Sequence, residues 1–155
     1  MQESSKSDTV AQLETAYGAP SQAGFGSAVF DETLDPGADL AVAAREKYKY
    51  FVGELWERWG EDAWMGPWRE VYSRPAGAAP DIVAELNAID DRDAALSAPM
   101  IVDNDPAALA AVFDDPALTE LRVFNLGDGG AMSGLLIAGR RAATHDATFL
   151  VFLLD

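Results

Sequence analysis

"SGLLIAGRRAATHDATFLVFLL", residues 133–154, contains two apolar runs on either side of a polar turn. Residues 149–154 are six consecutive apolar side chains with no alternation between polar and apolar. A half-buried strand alternates, whereas an unbroken apolar run is typical of a strand covered on both faces. We therefore predict strands at residues 133–141 and 148–154, with the second one inside a sheet.

The preceding stretch, "APMIVDNDPAALAAVFDDPALTELRVFNLG" at residues 98–127, predicts a strand, a helix and a second strand. The strands are residues 100–102 and 121–126, and Asp105 with Pro106 opens the helix between them. A connection of this length permits a right-handed parallel crossover. The sequence thus predicts an α+β fold with a mixed sheet of about four strands. A βαβ unit is followed by a C-terminal antiparallel meander, and N-terminal helices pack on the sheet.

The N-terminal half is predicted to hold those helices. Residues 1–8 are polar and are expected to fray, so residues 9–155 form the single predicted domain. The most regular helix is residues 40–59, which Asp39 caps and Gly60 ends. Residues 81–96 form another, with Asp90, Asp91 and Asp93 at its C-terminal end.

All four tryptophans lie in "ELWERWGEDAWMGPWREVY", residues 54–72. Helical spacing across residues 40–59 places Trp59 on the apolar stripe, Trp56 at its edge and Tyr50 nearly opposite. Trp68 is predicted to be buried by a short helix after Pro67, and Trp64 falls in a turn. Two interpretations stay open: the tryptophans fill a core, or Tyr50 and Trp56, together with Arg58, belong to a binding surface.

The chain has a formal net charge of −15, which disfavours nucleic acid and anionic membrane surfaces as partners and permits a cationic one. Residues 1–40 contribute −6 and residues 75–121 contribute −9, while the other two segments are neutral. Asp90, Asp91 and Asp93 oppose the dipole of the predicted helix, and Asp114 and Asp115 repeat that pattern at the end of the next helix. Such charges are either retained for binding or serve only solubility and salt adaptation.

Catalytic and metal motifs are not found in the sequence. There is no cysteine, which excludes disulfides and thiolate chemistry. His145 is predicted to be a solvated turn residue beside Asp146. "DNDP" at residues 103–106 lacks the further ligands and the glycine of a calcium loop, and "GDGG" at 127–130 lacks the lysine of a phosphate loop. We expect no catalytic residue, no metal and no cofactor.

These observations favour a non-enzymatic, acidic protein-binding module of the cytoplasm that blocks a cationic partner protein sterically and electrostatically. Bacterial toxin-immunity proteins and nuclease inhibitors share this physical character, although the chain carries no family motif. The candidate partner-binding residues are Tyr50, Trp56, Arg58, Asp90, Asp91, Asp93, Asp114 and Asp115. The alternative is a small enzyme or ligand-binding domain, in which an aromatic-lined pocket near Arg69, Arg74 or Arg122 holds a small anion.

Overall fold

The fold is taken from a computed structural model, which describes residues 8–22, 24–129 and 132–154. The helices in this part of the chain are α1 Asp8–Tyr17, α2 Leu40–Val52, α3 Glu54–Trp59, α4 Glu61–Met65, α5 Ile82–Asn87, α6 Ala94–Asn104 and α7 Pro106–Phe113. The strands are β1 Gly26–Thr33, β2 Arg69–Ser73, β3 Glu120–Asn125, β4 Ser133–Arg141 and β5 Asp146–Leu154. The predicted α+β class is confirmed. The predicted frayed segment, residues 1–8, lies outside the described residues except for Asp8, where α1 begins.

The strands form one sheet in the order β1-β5-β4-β3-β2, and every neighbouring pair is antiparallel. Strands β3, β4 and β5 are the predicted C-terminal meander, and β4 has the predicted bounds. Strand β5 pairs with β4 on one side and with β1 on the other. It is therefore an interior strand, as its unbroken apolar run indicates.

The prediction of a mixed sheet with about four strands and a βαβ unit was wrong in its detail. The described sheet has five strands, because β1 and β2 add one strand at each edge. Residues 100–102 are part of α6 rather than a strand, so no parallel crossover joins them to β3. Ala94, Ala98 and Ile101 recur at helical spacing and are all buried. A run of three apolar residues satisfies a strand or a buried helix equally well, and here the helical period of its neighbours decides.

The predicted helix at residues 40–59 is two helices, because Gly53 interrupts it. Asp39 caps α2 as predicted, with its side chain accepting a hydrogen bond of 2.8 Å from the Ala41 N–H. Gly53 ends α2 at φ 66° and ψ −132°, a backbone conformation that side-chain-bearing residues rarely adopt. The chain then restarts as α3 at Glu54. The helical phase that the sequence gives for residues 54–59 therefore does not continue from α2.

Two further boundaries differ from the prediction. The segment after Pro67 is strand β2 rather than a short helix, and it pairs with β3 through a bulge between Glu70 and Tyr72. The predicted helix at residues 81–96 ends at Asn87, and α6 begins only at Ala94. The aspartates between these two helices consequently stand before an N-terminus instead of at a C-terminus.

Helices cover both faces of the sheet. Helices α1, α5, α6 and α7 supply one cluster of buried apolar residues, and α2, α3 and α4 supply the other. In β5, Leu150 packs in the first cluster, while Phe149 and Val151 pack in the second. None of the helices in the described part of the chain is long and apolar enough to cross a membrane.

Candidate functional site

The aspartates before α6 bind Arg69, which lies in the edge strand β2. The Arg69 guanidinium donates two hydrogen bonds of 2.7 Å to Asp91 and one of 2.9 Å to Asp93. Asp91 also accepts the backbone N–H groups of Asp93 and Ala94, each at 3.1 Å. The neighbouring guanidinium holds the pKa of Asp91 below its usual range. The Asp91 carboxylate therefore satisfies the first N–H group of α6, and the predicted conflict of these aspartates with a helix C-terminus was wrong.

Asp114 and Asp115, which follow α7, also make hydrogen bonds and ion pairs within the fold. Asp114 accepts the backbone N–H of Ile82 at 2.7 Å and so satisfies a donor at the start of α5. Burial raises the pKa of Asp114. Asp115 accepts the Ala117 N–H at 2.8 Å and lies 3.5 Å from Nε of the buried Arg141. Of the five candidate aspartates only Asp90 is an exposed residue without such a contact among the described residues. A role of these acids in partner binding stays a prediction.

The tryptophans form a connected aromatic cluster at α3 and α4. Trp64 is fully buried, donates its indole N–H to the Leu55 carbonyl at 2.9 Å, and stacks on Trp56 with ring centroids 6.5 Å apart. Trp56 is only 3% exposed, so the prediction that places it at the edge of the apolar stripe was wrong. Trp59 stacks on Trp64 at 5.2 Å but is 52% exposed, so its predicted core position was also wrong. Because the helix breaks at Gly53, Trp56 is buried and Trp59 is exposed, which is the reverse of what an unbroken helix predicts.

Trp68 lies just before β2 and is partly buried, stacking on Phe124 at a centroid distance of 4.8 Å. Arg58, at the end of α3, is exposed. Tyr50 is 51% exposed on α2, as its helical phase predicts, and its ring meets Phe30 edge-on at 5.8 Å. The contact with Phe30 restricts the tyrosine ring and leaves its other side open to solvent.

Two open clefts share Tyr50 and Glu46 as lining residues. The first has a volume of about 510 Å³ and is also lined by Gln22, Lys49, Gly53, Glu54, Trp56 and Glu57. The second has a volume of about 450 Å³ and is also lined by Pro20, Phe30, Asp31, Glu32 and Lys47. We call these residues together the Tyr50 surface. It carries five carboxylates against two lysines, a formal charge of −3.

Some acids of the Tyr50 surface have partners within the fold and others form no ion pair in the described part of the chain. In the second cleft Lys47 forms an ion pair with Glu32. Burial raises the pKa of Asp31, which accepts a hydrogen bond of 2.8 Å from the Thr148 hydroxyl. In contrast, none of the ion pairs within residues 8–22, 24–129 and 132–154 includes the three glutamates of the first cleft, Glu46, Glu54 and Glu57.

Reasoning from the sequence missed these glutamates, because charge was counted by segment. Residues 41–74 carry six acids and six bases and so count as neutral. In the folded chain, however, Arg69 and Arg74 of that segment bind carboxylates from residues 85–93. The available signal was the position of the glutamates on either side of Gly53, close in sequence to the exposed Tyr50.

The three arginines proposed for an anion pocket are each bound to carboxylates. Arg69 binds Asp91 and Asp93, Arg74 binds Glu85 with a closest distance of 2.5 Å, and Arg122 binds Glu70 at 2.5 Å. A guanidinium already paired in this way attracts a further anion weakly. These contacts give no support to the alternative of an anion-binding pocket.

His145 is an exposed residue of the β4–β5 turn with φ 55°, in agreement with the turn prediction. It lines a cleft of about 450 Å³ with Arg140, Thr119 and Glu120. The Arg140 guanidinium there donates to the backbone carbonyls of residues 35, 36 and 38 and so holds the chain before α2. Within the described residues no cluster of three or more histidine, aspartate or glutamate side chains has a geometry that could hold a metal ion.

Comparison of the chain with protein-family models, with curated proteins and with solved structures finds no match.

Proposed function

We propose that the chain is a protein-binding module that holds a cationic partner protein at the Tyr50 surface. The observation that carries this proposal is the combination of an exposed tyrosine with glutamates that have no ion-pair partner in the described structure. Tyrosine is enriched at the centres of protein interfaces, and unpaired surface carboxylates attract lysine and arginine side chains. The same charges repel an anionic ligand, which favours the protein-binding function over the alternative of an enzyme or anion-binding domain.

The proposed mechanism has two stages. The net charge of −15 attracts a cationic protein over a distance of about one Debye length, roughly 8–10 Å at physiological salt, and so raises the rate of encounter. Tyr50 then docks, and the partner's basic side chains enter the flanking clefts. A partner held in this way has its cationic surface covered, which is how an inhibitor or an immunity-type protein acts.

The test compares two exposed residues on opposite faces of the sheet. Tyr50 on α2 and Leu96 on α6 are each 51% exposed, but only Tyr50 lies in the proposed site. Immobilised wild type, Tyr50→Ala and Leu96→Ala are incubated with a lysate of the native cells at low salt, and bound proteins are identified by mass spectrometry. We expect a basic protein to bind wild type and Leu96→Ala and to be lost, by about tenfold or more, from Tyr50→Ala.

If Tyr50→Ala retains the same basic proteins as Leu96→Ala, the Tyr50 surface is not the binding site. Thermal melts of the three proteins serve as the folding control, because both substitutions are at exposed positions and should change stability by no more than about 0.5 kcal/mol.

A further inference from the structure

The first cleft of the Tyr50 surface already contains a cation supplied by the chain itself. Nζ of Lys49 lies 5.9 Å from the centroid of the Trp56 ring, within the range of a cation–π interaction. Both residues line the cleft together with the three glutamates that have no ion pair in the described structure. An aromatic ring beside carboxylates is a site that binds cations, and here the Lys49 ammonium group occupies it.

The Trp56 ring is held in place from behind, which makes it a fixed platform. It stacks on Trp64 with an interplanar angle of 7° and meets the Tyr48 ring edge-on at 5.5 Å. Trp64 and Tyr48 are both fully buried, and the Tyr48 hydroxyl donates to the Trp64 carbonyl at 3.3 Å. A ring fixed in this way loses little conformational entropy when a cation binds to it.

Lys49, in contrast, is held weakly. It is an exposed residue, and the ion pairs of the described chain do not include it. Its neighbour Lys47, two residues earlier on α2, is fixed by the ion pair with Glu32. A lysine held only by a cation–π contact at an exposed site is readily displaced by a group that makes additional contacts.

We infer that the first cleft receives one arginine guanidinium of the partner protein and that Lys49 occupies this position on Trp56 until the arginine displaces it. This inference rests on the proposed function and specifies the chemical group that the partner contributes. A guanidinium stacks on an aromatic face and donates to a carboxylate in the same plane, and it is more weakly hydrated than an ammonium group. In the cleft Trp56 supplies the face, and Glu46, Glu54 and Glu57 supply the acceptors.

The test uses a small probe, N-acetyl-arginine amide, with the uncharged isostere N-acetyl-citrulline amide as its control. Binding is followed by the NMR shift of the Trp56 indole N–H during titration. The two variants are Lys49→Met and Lys47→Met, which remove the same charge from the same helix. Only the first removes the cation that lies over Trp56, while the second removes the partner of Glu32.

We expect the arginine probe to bind Lys49→Met about five times more tightly than wild type, because the competing cation is absent, and Lys47→Met within about twofold of wild type. Citrulline should give no saturable shift. Lys49→Gln serves as a second variant, with the same expectation, if Lys49→Met is poorly folded. Equal midpoints for wild type and both Lys49 variants, or an equal response to citrulline, would overturn the inference.

The two proposals fail in different ways. If arginine does not bind beside Trp56 while the basic partner is still lost from Tyr50→Ala, the proposed function stands and only the guanidinium receptor is wrong. If arginine binds as expected and Tyr50→Ala keeps the partner, the cation receptor stands and the docking role of Tyr50 is wrong.

Discussion

Arg69 compensates the charge of two aspartates that are distant from it in the sequence. Its guanidinium joins Asp91 and Asp93 to the edge strand, and Asp91 in turn satisfies the first N–H group of α6. The sequence shows three neighbouring aspartates with no nearby base except Arg92, which suggests an uncompensated patch. The compensating residue is 22 positions earlier in the chain, a distance over which sequence periodicity carries no information.

At the residue scale we therefore expect Asp91→Asn to destabilise the protein. The lowered pKa of Asp91 means that its carboxylate stabilises the fold above its unfolded pKa of about 3.9, and that this stabilisation is lost as the pH falls through the folded pKa. Loss of the charge and of the Oδ2 acceptor that face Arg69 should cost about 1 kcal/mol at pH 7, although solvent partly screens the ion pair, while the asparagine amide oxygen can still accept the Ala94 N–H. The difference between variant and wild type should shrink near pH 3.

The matched control is the adjacent Asp90→Asn, which neutralises an exposed aspartate and should change stability by less than about 0.5 kcal/mol. Urea denaturation at pH 7 and pH 3 measures both variants. If Asp91→Asn and Asp90→Asn have the same urea midpoint at pH 7, the contact between Arg69 and Asp91 does not stabilise the fold.

Gly53 is the most consequential residue at the element scale, since it divides one predicted helix into α2 and α3. Its position decides which aromatic residues are buried: Trp56 turns inward, Trp59 turns outward, and Tyr50 keeps the exposed position that the phase of α2 predicts. Elements defined by strong local signals were predicted well, for example β4, and α7 with its Asp105 cap and Pro106. Elements were missed where the local signal is ambiguous, as in the apolar run at residues 100–102 within α6.

We expect Gly53→Ala to lower the free energy of unfolding by about 1–3 kcal/mol, because φ 66° with ψ −132° is strained for a residue with a side chain. A Cβ at this position has its nearest neighbour, Gln22, at an ordinary 3.6 Å, so the effect reports the backbone and not a clash. The control is Gly37→Ala, where a Cβ meets nothing within 4 Å, and where we expect a change within about 0.5 kcal/mol. Equal denaturation midpoints for the two variants would contradict this account of the break.

At the scale of the whole molecule, the bound aspartates beside α5, α6 and α7 and the unpaired glutamates of the Tyr50 surface lie on opposite faces of the sheet. Helices α1, α5, α6 and α7 cover one face of the sheet, where Asp91, Asp93, Asp114 and Asp115 are bound to arginines or backbone N–H groups. Helices α2 to α4 cover the other face and carry the Tyr50 surface with its unpaired glutamates. Composition and net charge predict a cationic partner, but only the folded chain distinguishes carboxylates bound within the structure from those that form no ion pair in its described part.

The association rate with the captured basic protein, measured as a function of ionic strength, tests whether that protein binds at the Tyr50 surface. Two double variants each change the net charge by two units: Glu54→Gln with Glu57→Gln in the first cleft, and Asp35→Asn with Asp103→Asn at exposed positions outside the Tyr50 surface. We expect the glutamate variant to associate about three times or more slowly at low salt, with a flatter salt dependence, and the aspartate variant to stay within about twofold of wild type. Equal rates for the two double variants would contradict the assignment of binding to the Tyr50 surface.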